Sequence, residues 1–203
     1  MHTQQIQDAY NQQAGLYEIT STVLGWLGLN RLRRRAFGSA TGSILEVAAG
    51  SGKNLYLFPK SSSVVAVDIS SAMLSKAEHK AKRLNLTVTF KQADAEFLPF
   101  SESTFDTIVS SLSVCTFADP VQALKDMRRV CRPEGRILLL EHGRSNLKWV
   151  SRYQDKKAIK RGPDDTGCYP NRDPERLARK AGLKIDKVER PFWGYFYLIS
   201  ARP

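Results

Sequence analysis

Short apolar runs alternate with longer amphipathic stretches through most of this chain. Ser43–Val47 (SILEV) and Ser63–Val67 (SVVAV) are apolar and too short for helices, which predicts buried strands. Each is followed by a loop and a stretch with helical character, Lys53–Phe58 after the first and Ala72–Leu84 after the second. The pattern therefore indicates repeated strand–helix units.

The same alternation continues towards the carboxyl end. Further strands are predicted at Leu86–Lys91, Thr104–Ser110, Arg136–Leu140, Leu183–Arg190 and Trp193–Ala201, and further helices at Pro120–Cys131 and Pro174–Ala181. Strands joined through helices should be parallel, whereas the last two, joined by a short connection at Pro191, should pair antiparallel. The expected fold class is α/β: a doubly wound, mostly parallel seven-stranded sheet, its last strand antiparallel, with helices on both faces.

The 203 residues fit one domain, with a Rossmann-like core at residues 43–203. Residues 1–42 precede the first strand and have helical character, so they are expected to form N-terminal lid helices. Residues 145–171 are basic and interrupted by proline and glycine, which predicts mostly loop with some helix.

Composition changes this picture little. The chain is 42% hydrophobic and 25% charged, as in soluble globular proteins, and it contains no apolar run that could span a bilayer and no secretory signal. Three cysteines without a CxxC pair argue against a disulfide framework and a zinc knot, so no metal is expected, and Cys115 is interpreted as a small packing residue. A cytoplasmic monomer is the expectation.

Charge is the unusual bulk property, because the net charge of +11 favours anionic partners. Apolar residues at Val23–Leu29 precede the basic run Arg31–Arg35, which predicts peripheral contact with an anionic membrane. Nucleic acid is the less favoured partner, although the basic stretch Lys148–Arg161 could follow a phosphate backbone. The alternative is that the apolar residues pack a lid helix and the arginines are solvated.

Candidate chemistry lies where the predicted strands end, since ligands of open α/β sheets bind outside the carboxyl ends of the strands. Gly50 and Gly52 permit close backbone approach, and Asp68 follows Glu46 by 22 residues, a separation typical of an acid that binds a ribose. A dinucleotide G-x-G-x-x-G motif fails because Leu55 occupies the third glycine position, and no P-loop motif occurs. A nucleoside held without a pyrophosphate is predicted, and NAD is disfavoured.

Five motifs in order carry a family resemblance: LEVAAGSG (Leu45–Gly52), VVAVDIS (Val64–Ser70), ADAEFLPF (Ala93–Phe100), FDTIVSS (Phe105–Ser111) and RPEGRILLLEHG (Arg132–Gly143). With them, residues 43 to about 145 resemble the class I S-adenosylmethionine-dependent methyltransferases. Within that superfamily, the chain looks most like small enzymes that methylate quinone precursors, phosphatidylethanolamine headgroups or alkyl thiols. The resemblance implies S-adenosylmethionine as donor, S-adenosylhomocysteine as product and a small-molecule or lipid acceptor.

The resemblance also implies roles for individual residues. The donor-binding set, from the methionine end to the adenine end and then the lid, is Glu46, Ala48, Gly50, Gly52, Ser110, Asp68, Ile69, Met73, Asp94, Ala95, Tyr10 and Tyr17. Within it, Asp68 would bind both ribose hydroxyls, and the two tyrosines would face a sulfonium cation unless they serve only in packing. Relatives commonly have glycine where this chain has Ala48, so a shifted or weaker site is expected.

The reaction implied is in-line attack of an acceptor nucleophile (N, S, O or C) on the donor's methyl carbon. His142 is the candidate general base because its ordinary pKa lies near neutrality, although it could instead only hydrogen-bond a loop. The fourth strand ends in SSLS and lacks the Asn- or Asp-Pro-Pro-aromatic motif of base-methylating enzymes, which disfavours an RNA substrate. A donor-binding protein without turnover is a further alternative.

Overall fold

A seven-stranded sheet organises the computed structural model, which describes residues 4–12, 28–161 and 167–203. The strands are β1 Ser43–Val47, β2 Ser63–Asp68, β3 Val88–Gln92, β4 Phe105–Ser111, β5 Cys131–His142, β6 Lys184–Glu189 and β7 Phe196–Arg202. Their order is β3-β2-β1-β4-β5-β7-β6; β1 to β5 are parallel, and β7 runs antiparallel between β5 and β6. The predicted fold class is confirmed, with the strand order reversing between β1 and β4.

Helices cover both faces of this sheet. They are α1 (4–12), α2 Asn30–Phe37, α3 Ser71–Arg83, α4 Pro120–Val130, α5 Lys148–Arg161, α6 Pro174–Lys180 and the short turn α7 Pro191–Gly194. Side-chain oxygens fix where three of them begin: Ser70 accepts from the Met73 amide, while Asp119 and Asp173 cap α4 and α6. Within the described segments, no helix is both long and apolar enough to cross a membrane.

Side chains of the central strands are buried alternately in two apolar layers. On β5, Ile137 and Leu139 enter one layer, which α4 and α6 cover, and Leu138 and Leu140 enter the other, which contains Phe37 of α2. Strands buried on both faces appear in sequence as continuous apolar runs. For this reason, RILLL could be recognised as a strand without any alternation of polar and apolar positions.

Several predicted helices and strands differ from those observed in extent or in type. Lys53–Phe58 forms only a short 3-10 turn at Leu55–Leu57, and β3 connects to β4 without a helix. The predicted helix Pro120–Cys131 ends at Val130, where β5 begins directly. Trp193 lies in the α7 turn with a left-handed backbone (φ 55°), so the last strand begins at Phe196.

The region predicted as mostly loop contains the 14-residue helix α5. Its buried anchor is polar: the Gln154 amide donates to the carbonyls of Gly143 (3.0 Å) and Pro170 (2.9 Å) and accepts from the Ser145 amide (2.9 Å). A helix anchored by hydrogen bonds has no apolar stripe to reveal it in the sequence. This explains why periodicity missed it.

Candidate functional site

An open cleft lies at the carboxyl ends of β1, β2 and β4, where the strand order reverses. Its empty volume is about 700 Å³, including the mouth. The predicted site residues that line it are Tyr10, Ala48, Gly50, Asp68, Ile69, Met73, Asp94 and Ala95. The cleft therefore unites most of the predicted donor-binding set in one place.

Asp68 is the most firmly held acid of the cleft. Its Oδ2 accepts from the Gly50 amide (2.8 Å) and its Oδ1 from the Ser70 amide (2.9 Å). Burial raises the pKa of this carboxyl, while the backbone hydrogen bonds act in the opposite direction. Each oxygen keeps a further lone pair, so a carboxylate of fixed orientation is available to accept ligand hydroxyl groups.

Glu46 is buried and is not among the residues that line the cleft. The Asn54 amide donates to its Oε1 (2.8 Å), whereas its buried Oε2 has no hydrogen-bond partner. Burial raises the pKa of Glu46 to about 7. Ser111, which lines the cleft, also has a buried hydroxyl without a partner. The Asp68 carboxyl and the Ser111 hydroxyl therefore suit a ligand that brings hydroxyl groups, whereas Glu46 lies outside the cleft lining.

Ala48 and the two glycines that follow it occupy different backbone environments. Ala48 has φ 54°, in the left-handed region that favours glycine, and it lines the cleft. An added Cβ on Gly50 would meet nothing within 4 Å. On Gly52 it would lie 2.7 Å from Leu55 and 3.1 Å from Ala77, so Gly52 permits close packing of α3 and does not line the cleft.

The amino-terminal helix α1 contributes one wall of the cleft. Ile6 and Tyr10 line it, and the Ser70 hydroxyl donates to Asn11 Oδ1 (2.6 Å), which ties α1 to the loop that carries Asp68. Tyr17, the other predicted lid tyrosine, lies outside the described residues.

The opposite wall holds Asp94 and a residue that sequence reasoning missed. Asp94 Oδ1 accepts from the Glu96 amide (2.9 Å), and the Glu96 carboxylate accepts from the Asp119 amide (2.7 Å). Glu96 therefore joins this wall to the start of α4. The acidic character of ADAE was visible in the sequence, but the contact with Asp119 was not.

Beneath the cleft, a polar network links β4 to β5. The buried Ser110 hydroxyl contacts the Val47 carbonyl (3.2 Å) and the Ser113 hydroxyl (2.5 Å). Glu141 Oε2 accepts from the Ser113 and Val114 amides, and burial raises its pKa to about 8. Ser110 thus lies under the cleft without lining it. Glu141 was missed, although an acid ending the apolar run RILLL could have signalled it.

His142 is half-buried and lies outside the cleft's lining. Its ring stacks on Tyr195 with centroids 5.6 Å apart, and its Nε2 lies 3.5 Å from Cys168 Sγ. The imidazole therefore faces a thiol contributed by a distant part of the chain. Its assignment as general base stays a prediction.

Comparisons with known proteins agree with this geometry. A family model described as a methyltransferase domain matches residues 45–139. The chain is 34% identical over 146 residues to the phosphatidylethanolamine N-methyltransferase of Cereibacter sphaeroides, covering 71% of each protein. It is 33% identical over 150 residues to the ubiquinone/menaquinone biosynthesis C-methyltransferase UbiE of Bdellovibrio bacteriovorus, covering 70% of this chain and 63% of that protein.

A solved structure shares the fold across nearly the whole chain. The crystal structure of an S-adenosylmethionine-dependent methyltransferase from Thermotoga maritima superposes with a TM-score of 0.71 at 18% identity, covering 97% of this chain and 99% of that one. These matches confirm the resemblance indicated by the five motifs. The chain spans 57% to 65% of the length of four UbiE relatives that it matches.

Proposed function

This chain belongs to the methyltransferase family, and we propose that it transfers a methyl group from S-adenosylmethionine to a small-molecule or lipid-headgroup acceptor. The observation that carries the proposal is the acidic cleft at the strand-order reversal, with Asp68 held by two backbone amides. Two of its relatives are named for a phospholipid headgroup and for quinones, which favours acceptors of these classes.

The residues of the cleft fit the donor's chemistry. Asp68 accepts hydrogen bonds from the two ribose hydroxyls. Ile69 and Met73 flank the adenine, and Asp94 with the Ala95 amide binds the adenine edge. Glu46, two residues before Ala48, offers the ammonium end its buried Oε2, which has no hydrogen-bond partner, and Ser110 supports the loop from below through the Val47 carbonyl. Tyr10, which lies on α1 and lines the cleft, offers an aromatic face to a sulfonium cation.

The chemistry needs little from the protein beyond positioning. The bound donor supplies an activated methyl group together with its own leaving group, and the reaction class requires no metal ion. The chain's contribution is to orient the acceptor for in-line attack and to exclude water. Where the acceptor must lose a proton, His142 is the candidate base; if it has that role, His142→Ala should abolish turnover of such an acceptor and leave donor affinity nearly unchanged.

Donor-dependent labelling tests the proposed function. The purified chain is incubated with methyl-labelled donor and, separately, alkyl thiols, ethanolamine lipids in vesicles, quinol precursors and RNA. Labelling of a small molecule or lipid, lost in Asp68→Ala, is expected. Labelling of RNA alone would favour the RNA-directed alternative, and calorimetric donor binding without labelling of any acceptor would favour a binding protein without turnover.

We also propose that the protein binds a lipid surface through one face of α5, which we call the α5 face. Its residues are Lys148, Trp149, Arg152, Tyr153, Lys156 and Ile159. At about 100° per residue these side chains share an arc of about 140°. Trp149 is 73% exposed, Tyr153 67% and Ile159 86%. Trp193, 72% exposed, adjoins the start of this helix because its carbonyl accepts from the Asn146 amide. Exposed aromatic and aliphatic groups interleaved with cations suit the interface of an anionic membrane.

This face differs from the one expected from the sequence. Leu29 and Arg33 are buried at 6% and 3% exposure, and Arg35 pairs with Glu189. Val23, Leu24, Trp26 and Leu27 lie outside the described residues. Membrane contact is therefore better argued from α5.

Vesicle co-sedimentation tests the α5 face. Binding to anionic but not zwitterionic vesicles, lost at high salt and in the Trp149→Ala/Arg152→Ser/Lys156→Ser variant, is expected. Arg179→Ser/Lys180→Ser removes two exposed cations of α6 and should leave binding intact. Absence of vesicle binding at low salt, with tight RNA binding in its place, would contradict this proposal.

A further inference from the structure

Two thiols and an imidazole converge beside the carboxyl ends of β4 and β5. Cys115 comes from the turn after β4, His142 ends β5, and Cys168 lies in the segment before α6. Their ligating atoms all lie within 4.8 Å of one another, and the Cys115 and Cys168 thiols are hydrogen-bonded. His142 Nε2 lies 3.5 Å from Cys168 Sγ. Among the described residues, this is the one group of three potential metal ligands of this kind.

We propose that Cys115, His142 and Cys168 bind one Zn²⁺, or a cation of the same soft chemistry, through two thiolates and an imidazole nitrogen. Tetrahedral Zn²⁺ with ordinary bond lengths separates a sulfur from a nitrogen ligand by about 3.6 Å and two sulfurs by about 3.8 Å. The observed sulfur–nitrogen distance of 3.5 Å agrees with the first value. Three protein ligands leave a fourth position for water or a soft ligand atom such as a thiolate.

The backbone around the cluster is fixed by contacts that need no ion. The Tyr169 amide donates to the Cys115 carbonyl (3.0 Å), which joins the segments of the two cysteines. Arg172 Nη1 donates to the carbonyls of Val114 and Phe117, both at 2.8 Å, and so clamps the turn that carries Cys115. The stacked ring of Tyr195 orients His142. The ligands are therefore brought together before any metal arrives.

Charge balance also suits a divalent cation. Two thiolates and a neutral imidazole offset the two charges of Zn²⁺, so the loaded cluster is neutral overall. Neutrality matters because Cys115 is only 2% exposed, where an unbalanced charge would be costly. The three ligands are far apart in the sequence, so the missing CxxC pair, which argued against a zinc site, does not exclude this one.

The site has a consequence for the chemistry proposed above. A His142 Nε2 that coordinates a metal cannot accept a proton, so metal ligation and general-base catalysis by this nitrogen exclude each other. The inference itself does not depend on the proposed methyl transfer, because its readout is metal binding.

Metal titration tests the site on the full chain, reduced and stripped with a chelator under anaerobic conditions. Zn²⁺ is titrated against a chromogenic competitor, and Co²⁺ is then used as a spectroscopic probe, since tetrahedral cobalt thiolates absorb through charge transfer. One equivalent of Zn²⁺ should bind and thiolate-to-cobalt bands should appear. Mg²⁺, which prefers oxygen ligands, should not compete.

Variants decide which residues ligate. Cys115→Ser, Cys168→Ser and His142→Ala should each weaken Zn²⁺ binding by more than about tenfold. Cys131→Ala removes a buried thiol outside the cluster and should change affinity less than about twofold. If Cys115→Ser does not fold, the half-buried Cys168 and His142 still decide the question. No binding at micromolar Zn²⁺, or binding that survives both Cys168→Ser and His142→Ala, would overturn the proposal.

Discussion

The two halves of the sheet's carboxyl edge are built in different ways. The donor half, at the ends of β1, β2 and β3, fixes its key acid through neighbours in sequence: Asp68 is bonded to the amides of Ser70, two residues away, and Gly50, 18 away. The thiol half, at the ends of β4 and β5, depends on Arg172, which hydrogen-bonds to the carbonyl of Val114, 58 residues earlier in the sequence. Local motifs suffice to build the first half, whereas the second exists only after the chain has folded.

The halves also differ in charge. Buried carboxyl groups surround the donor half, although the chain as a whole carries +11. The thiol half holds two thiols, an imidazole and a guanidinium, with one buried carboxyl, that of Glu141, beside them. A cationic ligand therefore fits the donor half, and soft or nucleophilic chemistry fits the other.

The largest expected effect comes from Glu46, the buried acid of the donor half. Its folded pKa of about 7 lies above the unfolded value near 4.5, so the native state binds more protons between these values. Wild-type stability should fall relative to that of Glu46→Gln as pH rises from 4.5 to 8, by on the order of 3 kcal/mol. Urea unfolding of both proteins at a series of pH values measures this difference.

The pH dependence of the stability difference shows whether the titration of Glu46 causes it. Below pH 4.5 both proteins hold a neutral side chain, and their stabilities should be similar, whereas above pH 7 the variant should be the more stable. A difference that stays constant with pH would mean that Glu46 does not titrate in this range.

Asp68→Ala should impair donor binding by the donor half and leave the thiol half unaffected. Donor binding should weaken by about 1.5 to 3 kcal/mol because the ribose hydroxyls lose a charged acceptor. Calorimetric titration with S-adenosylmethionine measures the loss, and NAD should bind neither protein. Asp186→Ala, which removes an exposed partner of Arg202, is the matched control and should leave donor affinity unchanged. Equal donor binding by wild type and Asp68→Ala would remove Asp68 from the site.

The sequence predicted much of the donor half and little of the thiol half. Asp68, Gly50 and Asp94 could be predicted to lie near one another because each comes soon after its strand in the chain, and all three line the cleft. Glu46 and Ser110 were predicted to belong to the same site, but their burial outside the cleft lining was not visible, since the direction of a side chain depends on sheet register. The thiol half was missed because Cys115, His142 and Cys168 meet only when β4 pairs with β5 and the segment before α6 hydrogen-bonds to the turn after β4.

Arg172→Ala should affect the thiol half alone. It removes two hydrogen bonds from a half-buried guanidinium and its stacking over Tyr169, which should lower the free energy of unfolding by about 2 kcal/mol. Donor affinity should remain within about twofold of wild type. Arg179→Ala, which breaks an exposed pair with Glu175, should cost less than about 0.5 kcal/mol. A large loss of donor affinity in Arg172→Ala would show that the halves are coupled.

The smallest expected effect comes from Ala48, in the loop that follows β1 in the donor half. Ala48 holds φ 54°, a conformation that costs a residue with a Cβ about 1 to 2 kcal/mol and costs glycine nothing. Replacing Ala48 by glycine removes this cost, but part of the gain in stability is offset because glycine makes the unfolded chain more flexible. Ala48→Gly should therefore stabilise the protein by about 1 kcal/mol, raising Tm by about 2–4 °C.

Donor affinity should rise in the same variant, because the change removes the methyl group of a residue that lines the cleft. Ala49→Gly supplies the matched control: Ala49 is buried and outside the left-handed region, so the identical change one residue later should destabilise the protein. Thermal unfolding and calorimetry of the two variants separate backbone strain from the general effect of glycine. If Ala48→Gly were destabilising, the left-handed loop would not be under strain, and the donor half would tolerate alanine without cost.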